Sequence, residues 1–419
     1  MKFKHVLQEL NRIDVFSPYL FFPFIVLLYF GTSLFDFGRF EYFGLTYSIW
    51  PVLLLGLASY WLMVWIVRSK NWRFTVNVSD KLQGKSIWVL FALAWLGLIA
   101  YIIMIGSGQI GISDEAARRS LDPKLNFLSA LLWFSGLFLI SWFFLVKEKK
   151  VGLFILLFAV LAGLFVVMGY RTPLVIMLFT AIIIFHYMVK QIKFTWFIGA
   201  LVFVGLAFSM FGFYRFATED PSNPFNSREL PEISDELNVD QIAERNEMLR
   251  ARMEETPAFV RAINNESVTG HVVLSKIMEY TDEEGYLLGE IHGGILSPLL
   301  PGEQTSPRMK VSEIANSLTV EEGIYITRPG RTTTPTLFGQ LFADFGYAGV
   351  IIGFGLIGLF ITVLYNQTRQ TGARSYQTIS YAFVLTVFTI SLHTGLLDLI
   401  FVLMLGFALL SATVEKKIP

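Results

Sequence analysis

Cysteine is absent, histidine occurs only five times, and charged residues make up just 16% of the 419-residue chain. The first absence excludes disulfides, thiol catalysis and thiolate metal sites. The histidines, at positions 5, 186, 271, 292 and 393, have no ligand spacing, so no metal site and no cofactor is expected. No P-loop, dinucleotide-binding glycine pattern, HExxH or Gly-x-Ser-x-Gly motif occurs. Net charge is zero, which says nothing about partners, and no basic patch points to nucleic acid. The shortage of charge is matched by 54% apolar residues and a mean hydropathy of +0.57. A soluble globule of this length could not hide that much apolar surface.

What the chain has instead is a series of apolar runs of about 17–25 residues, the length that crosses roughly 30 Å of hydrocarbon. We expect an all-α polytopic membrane protein with ten spans, near Ser17–Phe35, Tyr47–Val67, Ile87–Ile105, Phe127–Leu145, Val151–Met168, Thr172–Met188, Phe194–Gly212, Gly346–Tyr365, Ile379–Leu392 and Leu396–Ala412. The last two are short, and the pair could instead be one span plus a re-entrant segment. Residues 1–212 then carry spans one to seven, residues 213–335 form one large extracytoplasmic loop domain, and residues 336–419 carry spans eight to ten. Met1–Phe16 reads as an amphipathic lead-in rather than a removed signal peptide.

Charge sets the orientation. Arg68, Lys70, Arg73, Lys81 and Lys85 follow span two; Lys147, Lys149 and Lys150 follow span four; Lys190 and Lys193 follow span six; Arg369 and Arg374 follow span eight. The positive-inside rule puts these loops and both termini in the cytoplasm of a multi-pass inner-membrane protein. The large loop is net acidic, with a surface helix over Ser234–Glu255, a more apolar helix over Ala258–Tyr280, and a Gly-rich apolar stretch, Gly285–Pro301, that dips back towards the membrane.

The costliest residue is Arg171, in a turn (Gly169-Tyr170-Arg171-Thr172-Pro173) between two apolar runs. A charge so close to lipid faces the protein interior, a cavity or an anion. Arg215, beyond span seven, Arg261, on the second loop helix, and Arg331, before span eight, add cations on the same outer side. Planar guanidinium forks bind phosphate oxygens in pairs and stay charged when buried, so converging forks at the outer surface suit a lipid-linked diphosphate. Each also has a plainer reading, as a snorkelling, ion-paired or solvated arginine. His393 and Asp398 flank a tight outer turn, as a helix clamp or as support for a site. Asp344 reads as a carboxylate at a helix N-terminus, favoured by the dipole, or as part of the chemistry. Candidate bases are His271, Glu266, His292 and Asp344, and the sequence does not choose among them.

With these residues placed, the chain resembles the Wzy-type oligosaccharide repeat-unit polymerases, the family of O-antigen and enterobacterial common antigen polymerases. Gly169-Tyr170-Arg171 opening a span is similar to the family's Gly-x-Arg turn, followed by Arg215 and Arg261. Leu296-Ser297-Pro298-Leu299-Leu300-Pro301-Gly302, Arg331, Thr334-Pro335-Thr336-Leu337-Phe338-Gly339 and Phe345-Gly346-Tyr347-Ala348-Gly349 resemble its Pro-rich segment and the approach to the next span. The resemblance runs from about Val151 to the C-terminus.

It implies a GT-C-like membrane glycosyltransferase without a metal. The growing glycan on undecaprenyl diphosphate would be the donor and one lipid-linked repeat unit the acceptor, with the active site facing the periplasm. Arg171 and Arg215 would hold the donor diphosphate, assisted by Arg261 and Arg331. Tyr214, Tyr280, Tyr286 and Tyr325 are possible sugar-stacking rings. A polysaccharide chain-length regulator is an expected partner beside the lipid bilayer. The nearest rival is an O-antigen ligase or other GT-C transferase, whose histidine–glycine loop signature is not found here. A lipid-linked sugar transporter or flippase is the more distant one, and the lack of internal repeats speaks against it.

Overall fold

The protein is seen in a computed structural model, which describes residues 13–34, 45, 47–72, 80–108, 123–167, 171–199, 258–296, 307, 310, 311, 314, 334–396 and 399–413. Side chains of 80–86, 123, 166–167, 171–172, 258–269 and 409–413 lie outside that description. Among the described residues every regular element is helical and there is no strand. The elements are α1 (Phe21–Gly31, prolonged by a tight turn to Leu34), α2 (Trp50–Ser69), α3 (Asp80–Gly106), α4 (Pro123–Ile140, widening into a π-helical stretch at Ser141–Lys147), α5 (Val151–Val167), α6 (Arg171–Met188), α7 (Ala258–Glu283), α8 (Glu290–Gly294), α9 (Thr336–Thr371), α10 (Tyr376–Thr394) and α11 (Leu399–Thr413).

Trp50–Ser69, Ile87–Gly106, Lys124–Lys147 and Thr336–Thr371 are long and apolar enough to cross a membrane, and Phe21–Leu34, Val151–Phe165, Pro173–Met188 and Leu399–Ala408 are shorter apolar helices. These helices are apolar all round, as a lipid-facing or core helix must be. On α2 and α3, Trp61, Leu62, Trp65, Trp88, Trp95, Ile99 and Ile102 stand exposed, a surface that lipid covers and water would not. The expected seventh span is represented by a short helical piece over 194–199, and its remainder lies outside the described residues. So does the Ser234–Glu255 helix. The helix expected over Ala258–Tyr280 is α7. The last pair is two separate helices, α10 and α11, parted at Gly395 (φ +68°).

The re-entrant element lies elsewhere. Gly346 (φ 58°, ψ −146°) breaks α9 into a ten-residue half-helix, α9a (Thr336–Phe345), and a crossing helix, α9b (Tyr347–Thr371). The rings of Phe338 and Phe354 stack 4.0 Å apart, whereas a straight helix would hold them about 24 Å apart. α9a therefore folds back along α9b. Glycines permit the contact: a Cβ on Gly349 would strike the Leu341 carbonyl, and one on Gly353 would lie 2.6 Å from Leu341 Cδ1. On the other side, a Cβ on Gly56 of α2 would lie 2.6 Å from the Phe338 ring, and one on Gly358 would lie 2.7 Å from the Tyr60 carbonyl. Small residues at such crossings let helices approach closely where lipid supplies no hydrophobic drive.

The end of the bundle that carries the short basic loops is closed by Asp14. Its carboxylate accepts hydrogen bonds from Tyr187 (3.0 Å) and Tyr365 (2.8 Å) and faces His186 Nε2 at 3.3 Å. His186 Nδ1 accepts the Ile192 N–H at 3.0 Å, which leaves the ring proton on Nε2 towards Asp14. Tyr381 donates to the Phe16 carbonyl at 2.5 Å. Burial alone would raise the Asp14 carboxyl, but the bonds from His186, Tyr365 and Tyr187 hold it below its ordinary value. One short acidic segment thus ties α1 to α6, α9b and α10.

Candidate functional site

The opposite end collects the polar groups that could do chemistry. α9a starts after Pro335, where the Thr336 hydroxyl accepts the Gly339 N–H at 3.1 Å, and it stops at Gly346, which leaves carbonyls at its C-terminus without helical partners. The chain leaving α7 supplies two of them: Leu287 N–H donates to the Ala343 carbonyl (2.9 Å) and Leu288 N–H to the Asp344 carbonyl (3.0 Å). Leu288 (φ +49°) and Gly289 (φ +101°) then turn the chain into α8. Asp344 repays α8 in kind. Its Oδ1 accepts the Ile291 N–H (3.1 Å), and Oδ2 accepts the His292 N–H (3.0 Å) and His292 Nδ1 (2.5 Å).

Asp344 is fully buried, while the His292 side chain stays 34% exposed. The sequence offers Asp344 as an N-terminal carboxylate of the segment entering span eight or as part of the chemistry. The helix it serves is α8, some fifty residues earlier, and Asp344 itself stands at the C-terminal end of α9a. Of the Gly285–Pro301 stretch, Leu287 and Leu288 meet the end of α9a, and residues 297–301 lie outside the described ones. Around His292, the Phe345 ring lies 5.6 Å away, and Tyr286, Leu288, Phe345 and Tyr347 are exposed. Lys310 pairs with Glu290 at 3.3 Å on the flank of α8.

The other two histidines at this end meet α1. Ser33 donates its proton to the Phe30 carbonyl (2.5 Å), so its contact with His271 Nδ1 (2.9 Å) has the ring nitrogen as donor. His271 is buried on α7 beside Trp50. His393, at the end of α10, meets the Tyr29 hydroxyl through Nδ1 at 2.9 Å. Tyr29 also sets the seat of α7, since a Cβ on Gly270 would lie 2.5 Å from its hydroxyl. Gln340, buried on α9a, clasps the turn after α10: Oε1 accepts the Leu396 N–H (2.7 Å) and Nε2 donates to the Leu396 carbonyl (3.3 Å). His271 and His393 thus converge on one turn of α1, and His292 and Asp344 form a separate pair at the hairpin tip.

The arginines are placed less fully. Arg171 opens α6, and Arg261 and Glu266 lie on α7, with side chains outside the described ones. Arg215, Arg331 and Asp398 lie outside the described residues altogether, as do Tyr214 and Tyr325. Tyr280 packs against the core, whereas Tyr286 lies over Gly346 and against Phe342. Tyr29, Ser33 and Gln340 were not singled out in the sequence. Only Gln340 leaves a trace there, as an amide between apolar neighbours.

A family model described as "Putative O-antigen polymerase" matches residues 14–228 and 267–405. The chain belongs to this family. Searches of curated proteins and of solved structures give no match. An O-antigen polymerase of this family is a membrane-embedded glycosyltransferase that polymerises lipid-linked repeat units, and the helices described above make this one a multi-pass protein. The matched segments contain Arg171, Arg215, His271, His292, Arg331, Asp344, His393 and Asp398, whereas Arg261 and Glu266 fall in the interval between them.

Proposed function

We propose that this polymerase transfers the growing glycan from undecaprenyl diphosphate to the free end of one lipid-linked repeat unit, on the outer face of the cytoplasmic membrane and without a metal ion. The observation that carries the placement is the pair of unlike ends. Asp14 and the basic loop residues Arg68, Arg369 and Arg374 gather at one end of α1, α9b and α10. His271, His292, Asp344 and His393 gather at the other. The positive-inside rule gives the first end to the cytoplasm, which leaves the second outside, together with the large loop. Both termini are then cytoplasmic, and ten spans in a GT-C-like arrangement complete the reading.

In the reaction, the acceptor hydroxyl attacks the anomeric carbon and the diphosphate departs with the electrons of the broken C–O bond. Negative charge grows on the leaving oxygen, and oriented guanidinium groups in a water-poor setting stabilise it. Arg171 and Arg215 take this role, with Arg261 and Arg331 assisting them or the acceptor. A chain-length regulator is a further partner under the same proposal.

The test is glycan formation in cells deleted for their own polymerase but carrying the cognate repeat-unit genes. Wild type gives a ladder of repeat lengths, and Arg171→Ala at equal membrane abundance gives single repeats. A ladder undiminished in Arg171→Ala would remove the arginine from the site.

A further inference from the structure

The hairpin tip separates the candidate bases. Asp344 is fully buried and already accepts three hydrogen bonds, from the Ile291 and His292 amides and from the His292 ring. A carboxylate so placed holds other groups and cannot itself reach a sugar hydroxyl. His271 is buried in the α1–α7 contact through Ser33, and His393 is tied to Tyr29. His292 differs from both: its Nδ1 faces the carboxylate at 2.5 Å, a third of its side chain is exposed, and among the described residues Nε2 has no hydrogen-bond partner.

We infer that His292 and Asp344 act as a pair in the proposed polymerisation, with His292 the catalytic base towards the acceptor sugar and Asp344 its positioning residue. Asp344 fixes the tautomer. With the proton of the neutral ring on Nδ1, the Nε2 lone pair points away from the carboxylate and can accept a proton. As the acceptor oxygen bonds to the anomeric carbon, its proton passes to Nε2. The anomeric carbon–oxygen bond breaks, and its electron pair leaves with the diphosphate. The imidazolium that forms is stabilised by the buried carboxylate, the division of labour of an Asp–His pair in acyl transfer.

The surroundings fit an acceptor sugar. Phe345 flanks the imidazole with its ring tilted by 37°, and Tyr286 and Tyr347 extend the exposed aromatic rim. Rings of this kind stack on the C–H faces of a pyranose while polar groups address its hydroxyls. The backbone is committed as well. Two amides of α8 and two carbonyls of α9a are spent in holding His292 over the tip, which is how a site gains the preorganisation that catalysis requires.

The inference rests on the polymerase reading, and its test separates the two. Purified full-length protein in proteoliposomes is supplied with lipid-linked repeat units extracted from the source strain deleted for this gene. Initial rates are measured against acceptor concentration and pH. We expect His292→Gln to lower kcat by about 10²–10⁴-fold with KM little changed, and to abolish the acid limb of the wild-type rate profile. The charged groups flanking that ring are Asp344, Glu290 and Lys310, and the first is the one in contact.

Asp344→Asn, which keeps the shape but misdirects the ring, lowers kcat by about 10²-fold. Because that change also weakens the seat of α8, the decisive second variant is His292→Ala with imidazole added to the buffer. Recovery that grows with the concentration of the neutral form identifies a proton acceptor, and a purely structural histidine gives no such dependence. Turnover of His292→Gln within threefold of wild type, or absence of imidazole rescue, overturns the assignment. A wild-type protein that forms no polymer overturns the polymerase reading instead.

Discussion

Substituting Gly346 by alanine tests the re-entrant hairpin on which the outer site is built. The backbone there has φ 58° and ψ −146°, a conformation open to glycine and costing other residues about 1–3 kcal/mol. The new Cβ also lies 2.5 Å from Tyr286 Cζ and 2.6 Å from its hydroxyl, well inside the roughly 3.5–4.0 Å of an ordinary carbon contact. Tyr286 is half exposed and can swing away, so the overlap adds about 1–3 kcal/mol, in the range of an overpacked core. The hairpin should lose about 2–6 kcal/mol in all. Gly346→Ala with Tyr286→Ala removes the overlap and keeps the backbone strain, so it should recover part of the loss. The assay is thermal unfolding in nanodiscs alongside polymer formation. The single variant should melt lower and polymerise poorly, because Ala343 and Asp344 no longer meet Leu287, Leu288 and α8. A Gly346→Ala protein as stable as wild type would refute the folded-back α9a.

Three further predictions follow from other contacts. Gly56→Leu drives a side chain into Phe338, which a single Cβ already approaches to 2.6 Å, and should displace α9a at a cost of about 1–3 kcal/mol, read as lower thermal stability and lost polymer. Gln340→Leu leaves the Leu396 N–H and carbonyl without their side-chain partner; the expected loss is about 1–3 kcal/mol, and a melting temperature equal to wild type would contradict the clasp. Asp14 is held below its ordinary pKa, so its contribution to stability is complete above pH ~4 and disappears as pH falls through the lowered value. Asp14→Asn should therefore melt below wild type at pH 7, and the gap should close under strong acid; a gap independent of pH would contradict the contribution of charge.

The cysteine-free sequence makes the orientation easy to probe. Leu288→Cys, at a position 81% exposed, should react with a membrane-impermeant maleimide from outside, and Lys149→Cys only after the membrane is opened. The reverse pattern would invert the proposed topology.

The long apolar runs were legible because lipid imposes a length and leaves no face polar, and α2, α3 and α5 lie where those runs fall. α9 was legible only in part. The expected span begins at Gly346, where α9b follows, but hydropathy gives no sign that Thr336–Phe345 ahead of it is a helix folded back along α9b. Gly349 and Gly353 carry the missing information, but only once the Leu341 side is known. Asp344 shows the same limit from the chemical side. A carboxylate near an apparent helix start suggests a local cap, and its true partner, α8, is brought to it by tertiary structure. His271 and His393 looked unrelated because Tyr29 and Ser33, which gather them, belong to the first span. The arginines carry the opposite lesson: cost near lipid marks Arg171 in the sequence alone, whatever its side chain meets.

The most direct test of the account supplies the polymerase in proteoliposomes with lipid-linked single repeats alone and follows both products. The account predicts a ladder of whole repeats, one undecaprenyl diphosphate released for each linkage made, and no loss of rate with EDTA. Single repeats that remain single, transfer of glycan to another kind of acceptor, or a rate abolished by EDTA and restored by a divalent cation would contradict it.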